Sequence, residues 1–454
     1  MRRSESRPDS LSIDSTRQKV DAAFFRPEDA PSDHRPHWVD QYLPVEFKNR
    51  KNGNILDPFN DKKHDVSEEE AATRKKNRGQ LITYAELLLA LQPRVYLFML
   101  AIIGRRFRLL LWDRSGVIVT KSTDYYKRPE LLCEFLWRIS YASPTALGLD
   151  PTAARFLRTP TNANELESIL EYLAERVIDR APGDIKGTLP DNYVFSYVLD
   201  LFKESIANED WPLYRLWVAE RCFLVGKPVS PSRGVAGPGT RGYVAYDFEH
   251  KRLVWLKDTW RAWYQGVEAE GEVLCRLNEA GAEGIPTVLS HGDVGDQATV
   301  TGKVWEREHP LSYPYPRPSA PCSTPPPVPT TSDPVDKEAG TERPRMKSYK
   351  KRKRENLDNE CMTSTLLGPK GHVPSFRVDC PIEHRRHYRI VFKEVCFPLK
   401  EFMDAKQLVT IIFHCLNGEW RHSSDQGDFV VDTVLPLLSA LRSGKQAASS
   451  RPSS

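Results

Sequence analysis

The apolar residues of this chain fall into short strand-like runs and longer helix-like runs, and their order divides it into blocks. Between 18 and 48, VDAAFF and YLPVEFK read as two strands separated by a Pro/Asp/His loop. A charged stretch, 49–78, ends in TRKKNR. GQLITYAELLLALQP (79–93) is amphipathic with a helical period and stops at Pro93, which cannot continue a helix. VYLFMLAIIG (95–104) and RFRLLLWDRSGVIVT (106–120) read as strand runs, the second folded at a DRSG turn. Helical periodicity returns at 128–142 and 163–180, with Asn164 the expected cap of the latter. Residues 18–180 thus read as one mixed α/β domain, behind a polar N-terminus (1–17) expected to be disordered.

A second block begins near Tyr193 and runs to 308: the strand run RLWVAERCFLVGKPV, a glycine loop, LVWLKD, a helix near 262–280 and the short run IPTVLS. Residues 309–372 break the pattern. They hold YPYPRPSAPCSTPPPVPTTSDP, too proline-dense for a packed sheet or helix interior, and the basic run MKSYKKRKR (346–354). This insertion is expected to be disordered. Order resumes over 373–405 with HYRIVFKEVCFPLKEF, and 406–454 form a divergent tail holding AKQLVTIIFHCL, VVDTVLPLLSALR and a Ser-rich end. There is no internal repeat.

Composition adds limits. The chain has 454 residues, 40% of them apolar, with a mean hydropathy of −0.52. That length allows two or three domains at about 100–200 residues each. A net charge of +4 is too small for a whole-molecule basic field, so any nucleic-acid contact must come from local clusters. Eight cysteines include no C-x-x-C pair, which signals neither a zinc knuckle nor a thioredoxin-type site. With no signal peptide, they imply reduced thiols and an intracellular protein of the cytoplasm or nucleus. VYLFMLAIIG, the most apolar run, is half the length a membrane span needs and reads as a buried strand, so no membrane partner is expected.

The densest chemistry lies in GPGTRGYVAYDFEHKRLVWLKD (237–258). Gly237, Gly239 and Gly242 stand in G-x-G-x-x-G spacing, with Val244 two residues on. Glycines let a backbone approach phosphates without a Cβ in the way; Val244 would pack over a base. A plain hairpin turn is the alternative reading. A dinucleotide fold would follow such glycines with a helix, whereas here two β-rich segments follow around a polar turn, the kinase arrangement. V-W-L-K then resembles the V-A-I-K strand and gives Lys257 a phosphate-binding role. Such a lysine needs a carboxylate. Glu270 in EAEGEVLCRL shares a helical face with Val273, Leu274 and Leu277 and is the best partner, with Glu272 or Glu268 as the fallback.

GTRGYVAYD, LVWLKDTWR, EGEVLCRLNEAG, PTVLSHGD and HYRIVFKEVCFPLKEF resemble the fungal-type protein kinase family over roughly 18–160 and 210–405. The resemblance implies a kinase-like small lobe interrupted by a variable loop, with VFKEV (391–395) as the hinge. It implies ATP and Mg as cofactors, Ser/Thr protein phosphorylation as activity, and adenine bonded to the hinge backbone near Glu394. The catalytic parts do not follow. No H-R-D or D-F-G triplet occurs: EHRRH (383–387) lacks the aspartate, and GDFVVD (427–432) follows no catalytic loop. Phosphotransfer by this chain is therefore not expected. The expectation divides between a chain truncated before the large lobe and a kinase-like protein kept as a noncatalytic binding module for protein partners.

The N-terminal domain offers a second constellation. Asp21, Glu46 and Lys48 form a D…E-x-K set on successive strands, and Gln80 and Tyr84 lie one turn apart on the next helix. Carboxylates can hold magnesium and the lysine can orient water or stabilise charge. The set resembles the PD-(D/E)XK nuclease superfamily; a salt-bridged structural core is the alternative. Lys350, Lys351, Arg352, Lys353 and Arg354 form a basic run that could serve nuclear import, touch nucleic acid nonspecifically, or be simply solvated. The architecture expected is α/β (α+β): a nuclease-like mixed sheet followed by a kinase-like small lobe without its large lobe.

Overall fold

The computed structural model describes residues 2–3, 8–33, 35–48, 57–59, 68–178, 192–282, 284–310, 373–396, 404–406 and 408–409. The chain is α/β, built on two large sheets. The first carries β1 (Arg2–Arg3), β2 (Ala22–Phe24), β3 (Leu43–Lys48), α1 (Glu68–Leu91), β4 (Leu97–Ile103), β5 (Arg106–Asp113), β6 (Gly116–Val119), β7 (Thr123–Asp124) and α2 (Pro129–Tyr141). Its strands run in the order β1-β2-β3-β4-β5-β6, with β7 paired to β5. Only β3 and β4 are parallel within it, and α1 is the crossover such a pair requires. Leu81, Tyr84, Ala85, Leu88 and Leu89 of α1 bury against Leu97, Met99, Leu110 and Trp112 of the sheet and against Trp38. VYLFMLAIIG supplies β4, inside this sheet, and no helix among the described residues is long and apolar enough to cross a membrane.

The second part holds β8 (Ala153–Phe156), α3 (Pro160–Ala174), β9 (Val177–Ile178), β10 (Val194–Phe195), α4 (Ser196–Ala207), β11 (Leu213–Val218), β12 (Arg221–Val225), β13 (Arg241–Asp247), β14 (Arg252–Ala262), α5 (Glu270–Glu279), β15 (Val288–Ala298), α6 (Thr301–Glu308) and β16 (Arg385–Phe392). The sheet order is β15-β16-β14-β13-β12-β11-β8, antiparallel throughout; β9 and β10 make a separate parallel pair. One face carries α4 and α5. The other buries Leu216, Phe223, Ala245, Leu256 and Val391.

Several elements depart from the sequence reading. Residues 1–17 contribute β1, and Ile13 and Asp14 are buried. α1 begins at Glu68, so part of the charged stretch is helical. α3 starts at Pro160, and Thr159 rather than Asn164 caps it by accepting the Asn162 N–H at 3.3 Å. Proline at the first helical position is the signal that marks this start. β8 and α3 belong with the second sheet: β8 pairs with β11, and Ile169 and Leu173 pack with α4. β14 continues to Ala262 and α5 begins only at Glu270, later than a helix from 262. Of AKQLVTIIFHCL only residues 405, 406, 408 and 409 are described; VVDTVLPLLSALR, the basic run 350–354 and the proline-rich insertion from 311 on lie outside the described residues.

The two sheets are joined by buried polar bonds. At the β5–β6 turn, the Asp113 carboxylate accepts the N–H groups of Val300 and Thr301 at 2.7 and 2.9 Å, where α6 begins. Deeper in, Asp258 accepts from Arg241 at 2.5 Å and Arg389 at 3.0 Å, with the His387 Nε2 at 2.5 Å. Arg389 donates to Asp150 at 2.5 Å, and Arg241 reaches the Gln92 carbonyl at the end of α1. Burial alone would push the Asp258 carboxyl up, but His387, Arg241 and Arg389 together outweigh it and hold it well below the ordinary carboxylate range.

Candidate functional site

Lys257 lies in β14, directly opposite Gly242 of β13 and Ile390 of β16. The two-residue period of the strand puts Leu253, Trp255 and Lys257 on the face that α4 and α5 cover. The Lys257 Nζ donates to both carboxylate oxygens of Glu270, at 2.6 and 2.8 Å. The side chains are 28% and 36% exposed, so a ligand can reach the pair from solvent.

The three acids before and in α5 separate by partner. Glu268 pairs with Arg276 at 2.6 Å. Glu272 accepts the Ala269 N–H at 3.2 Å and so caps the helix. Glu270 alone of the three meets Lys257. Its helix is locked by a close approach that sequence reasoning missed: Gly271 donates to the Tyr388 hydroxyl at 2.9 Å, and a Cβ at 271 would collide with that hydroxyl and the His291 ring.

The three glycines do not act alike. Gly237 has a φ of 117°, open space beside it, and an N–H that donates to the Arg114 carbonyl at 2.8 Å. Gly239 has a φ of 51°, and a Cβ there would stand 2.6 Å from the Arg114 guanidinium. Arg114 also donates to the Gly234 carbonyl at 3.0 Å and the Leu89 carbonyl at 2.9 Å. The close approach that these glycines allow is thus to the first sheet's β5–β6 turn. Burial, with Arg241 nearby, lowers the Arg114 pKa to about 10. Gly242 lies inside β13, where a Cβ would fall on the Trp255 indole.

The base side of the site is occupied by the chain itself. Val244 is buried opposite Trp255 in the β13–β14 register. Val198, Leu199, Phe202 and Ile206 of α4 cluster with Val244, Tyr246, Leu253 and Val395, and Trp255 packs against that cluster. The Tyr197 hydroxyl, at the start of α4, donates to the Val395 carbonyl at 2.6 Å. Burial, then Cys396 and Tyr193, pushes the Tyr197 hydroxyl up to about 12, so it stays a donor at neutral pH. The Glu394 carboxylate accepts the Thr287 N–H at 2.8 Å, and the Lys393 N–H is bonded to the Thr287 carbonyl. Lys257 is thus open to an anion, whereas near Glu394 the Lys393 N–H and the Val395 carbonyl are already bonded within the chain. Trp255 was visible in the sequence as the departure of V-W-L-K from V-A-I-K; Tyr197 lay in a helix the sequence reading did not assign.

The N-terminal constellation also converges. The Lys48 Nζ donates to the Glu46 Oε1, and to the Gln80 Oε1 at 2.6 Å. The Gln80 Nε2 donates to the Tyr84 hydroxyl at 2.5 Å, and that hydroxyl donates to the Lys19 carbonyl. The Asp21 carboxylate accepts the Phe47 N–H at 2.8 Å. Glu46 is buried, and its Oε2 has no hydrogen-bond partner among the described residues. Burial, which outweighs the Lys48 contact, raises the Glu46 carboxyl to about 7. Asp247, Glu249 and His250 could also converge on an ion, but the Arg221 guanidinium already lies against Asp247.

The family model for fungal protein kinases matches residues 61–181 and 203–424. No curated protein and no solved structure matches the chain.

Proposed function

The chain belongs to the fungal protein kinase family, and we propose that its second sheet holds the phosphate tail of a nucleoside triphosphate, ATP with Mg²⁺ by family, at Lys257. The bidentate Lys257–Glu270 pair carries this reading. A partly exposed ammonium gripped by a helical carboxylate is fixed in direction yet open to an anion, as kinase phosphate binding requires. Phosphoryl transfer itself is not part of the reading, because no H-R-D or D-F-G aspartate occurs in the sequence. The family's Ser/Thr phosphotransfer would need residues beyond these, so the reading is one of phosphate binding. Thermal-shift titration with Mg·ATP and with Mg·tripolyphosphate tests the phosphate claim. Stabilisation of the wild type that disappears in Lys257→Met is expected; no shift at millimolar ligand rules it out.

A second reading is favoured by one observation, the orphaned buried Glu46 Oε2 beside Asp21, Lys48 and Gln80. On it, Glu46 and Asp21 would hold Mg²⁺, which would supply Lewis acidity for phosphodiester hydrolysis, and Lys48 would steady developing charge. Labelled DNA incubated with Mg²⁺ and either wild type or Glu46→Ala tests this. Equal cleavage by both removes Glu46 from any mechanism.

A further inference from the structure

The Lys257 site has two halves with different fates. On the phosphate half, the ammonium is partly exposed and its Glu270 partner is 36% exposed. On the base half, the apolar slot and two of the backbone groups at its edge are already engaged. A purine needs a flat apolar slot and backbone donors and acceptors at its edge. The slot lies on the Val244–Trp255 face, and the Trp255 indole rests against Gly242 within it. The wall opposite is α4, whose Val198, Leu199, Phe202 and Ile206 close over Val244, Leu253 and Val395. At the edge, Val395 offers its carbonyl to Tyr197 at 2.6 Å, and Lys393 offers its N–H to the Thr287 carbonyl at 2.9 Å.

From these contacts we infer that the Lys257 site takes a bare polyphosphate chain and gives a nucleobase no seat while Trp255 and α4 remain in place. This rests on the phosphate reading above and narrows its ligand. The indole stands where a kinase strand carries alanine, so the chain supplies its own aromatic ring in place of the ligand's. Tyr197 supplies, through its hydroxyl, the donor that a base amino group would bring. ATP can then bind only by its tail, and its adenosine contributes no affinity.

The test compares Mg·tripolyphosphate with Mg·ATP by isothermal titration on the full chain. Wild type is expected to bind both within about twofold of each other. In Trp255→Ala, which opens the slot, ATP should gain tenfold or more over tripolyphosphate. In Tyr197→Phe, which frees the Val395 carbonyl and conserves the ring, ATP should gain a few-fold; this variant decides the matter if Trp255→Ala fails to fold. Tripolyphosphate affinity should stay level across all three proteins. A wild type that prefers ATP tenfold, or an unchanged ratio in both folded variants, overturns the inference but leaves the phosphate reading standing. Failure of tripolyphosphate to bind wild type removes the phosphate reading, and this inference with it.

Discussion

The Arg114 guanidinium fills the space beside Gly239, 2.6 Å from where a β-carbon at residue 239 would stand. An arginine from the first sheet thereby sets the path of the loop that leads to Lys257. Gly239 also has a φ of 51°, which an L side chain adopts only with strain. Gly239→Ala should lose about 1–3 kcal/mol in urea unfolding. Arg114→Ala should also destabilise, since the carbonyls of Leu89 and Gly234 lose their donor. The double variant should lose less than the sum, because removing the guanidinium clears room for the methyl group. Strict additivity would show that the contact does not couple the two residues.

Glu270 and Glu268 are two residues apart but bond different cations. Glu270→Gln should weaken tripolyphosphate binding by about tenfold, the scale of losing one charged hydrogen-bond partner that orients Lys257. Glu268→Gln should change it by less than about twofold, since its partner Arg276 is half-exposed and solvent screens such a pair. Equal losses in the two variants would mean that the grip on Lys257 is not what the ligand depends on.

Asp258 predicts the acid limit of the fold. Its folded pKa lies well below the 3.8 expected of an unfolded chain. The stability it contributes is therefore complete above about pH 4 and drains away as pH falls below that, toward the depressed value. Asp150, also held low against Arg389 and His387, acts in the same direction. Thermal melts should be level between pH 5 and 7 where these two groups are concerned, then fall steeply below 4. Asp258→Asn should cost about 3–5 kcal/mol at pH 7, because Arg241 and Arg389 stay buried with their shared counter-charge gone. Its acid limb should be shallower, with Asp150 alone of this buried pair left to titrate. A melt unaffected at pH 7 would contradict the account.

The Lys257–Glu270 pairing was legible because each residue's direction follows from a local period, two for the strand and about four for the helix. Choosing among Glu268, Glu270 and Glu272 was less secure in sequence, and the competing partners Arg276 and the Ala269 N–H settle the geometry. β15 was legible only at its start. Its SHGDVGDQA portion is polar and gains its strand form from pairing with β16. The role of Gly239 was hidden for a related reason: the group it makes room for, Arg114, lies on another sheet, and no local pattern links the two. α4 escaped notice because SYVLDLFKESIA is short and sits directly behind the two-residue strand β10, whose pairing is likewise not local.

The pairing of β8 with β11 matters for anyone dividing this chain. A fragment cut to begin near residue 193 would lack β8, leaving the Leu213–Leu216 stretch with bare amide and carbonyl groups along one side. Such an unguarded border invites a strand from a neighbouring molecule. Excised that way, the kinase-like part would tend to oligomerise through β11, whereas a cut after α2, between Tyr141 and Asp150, would carry its own protective border along.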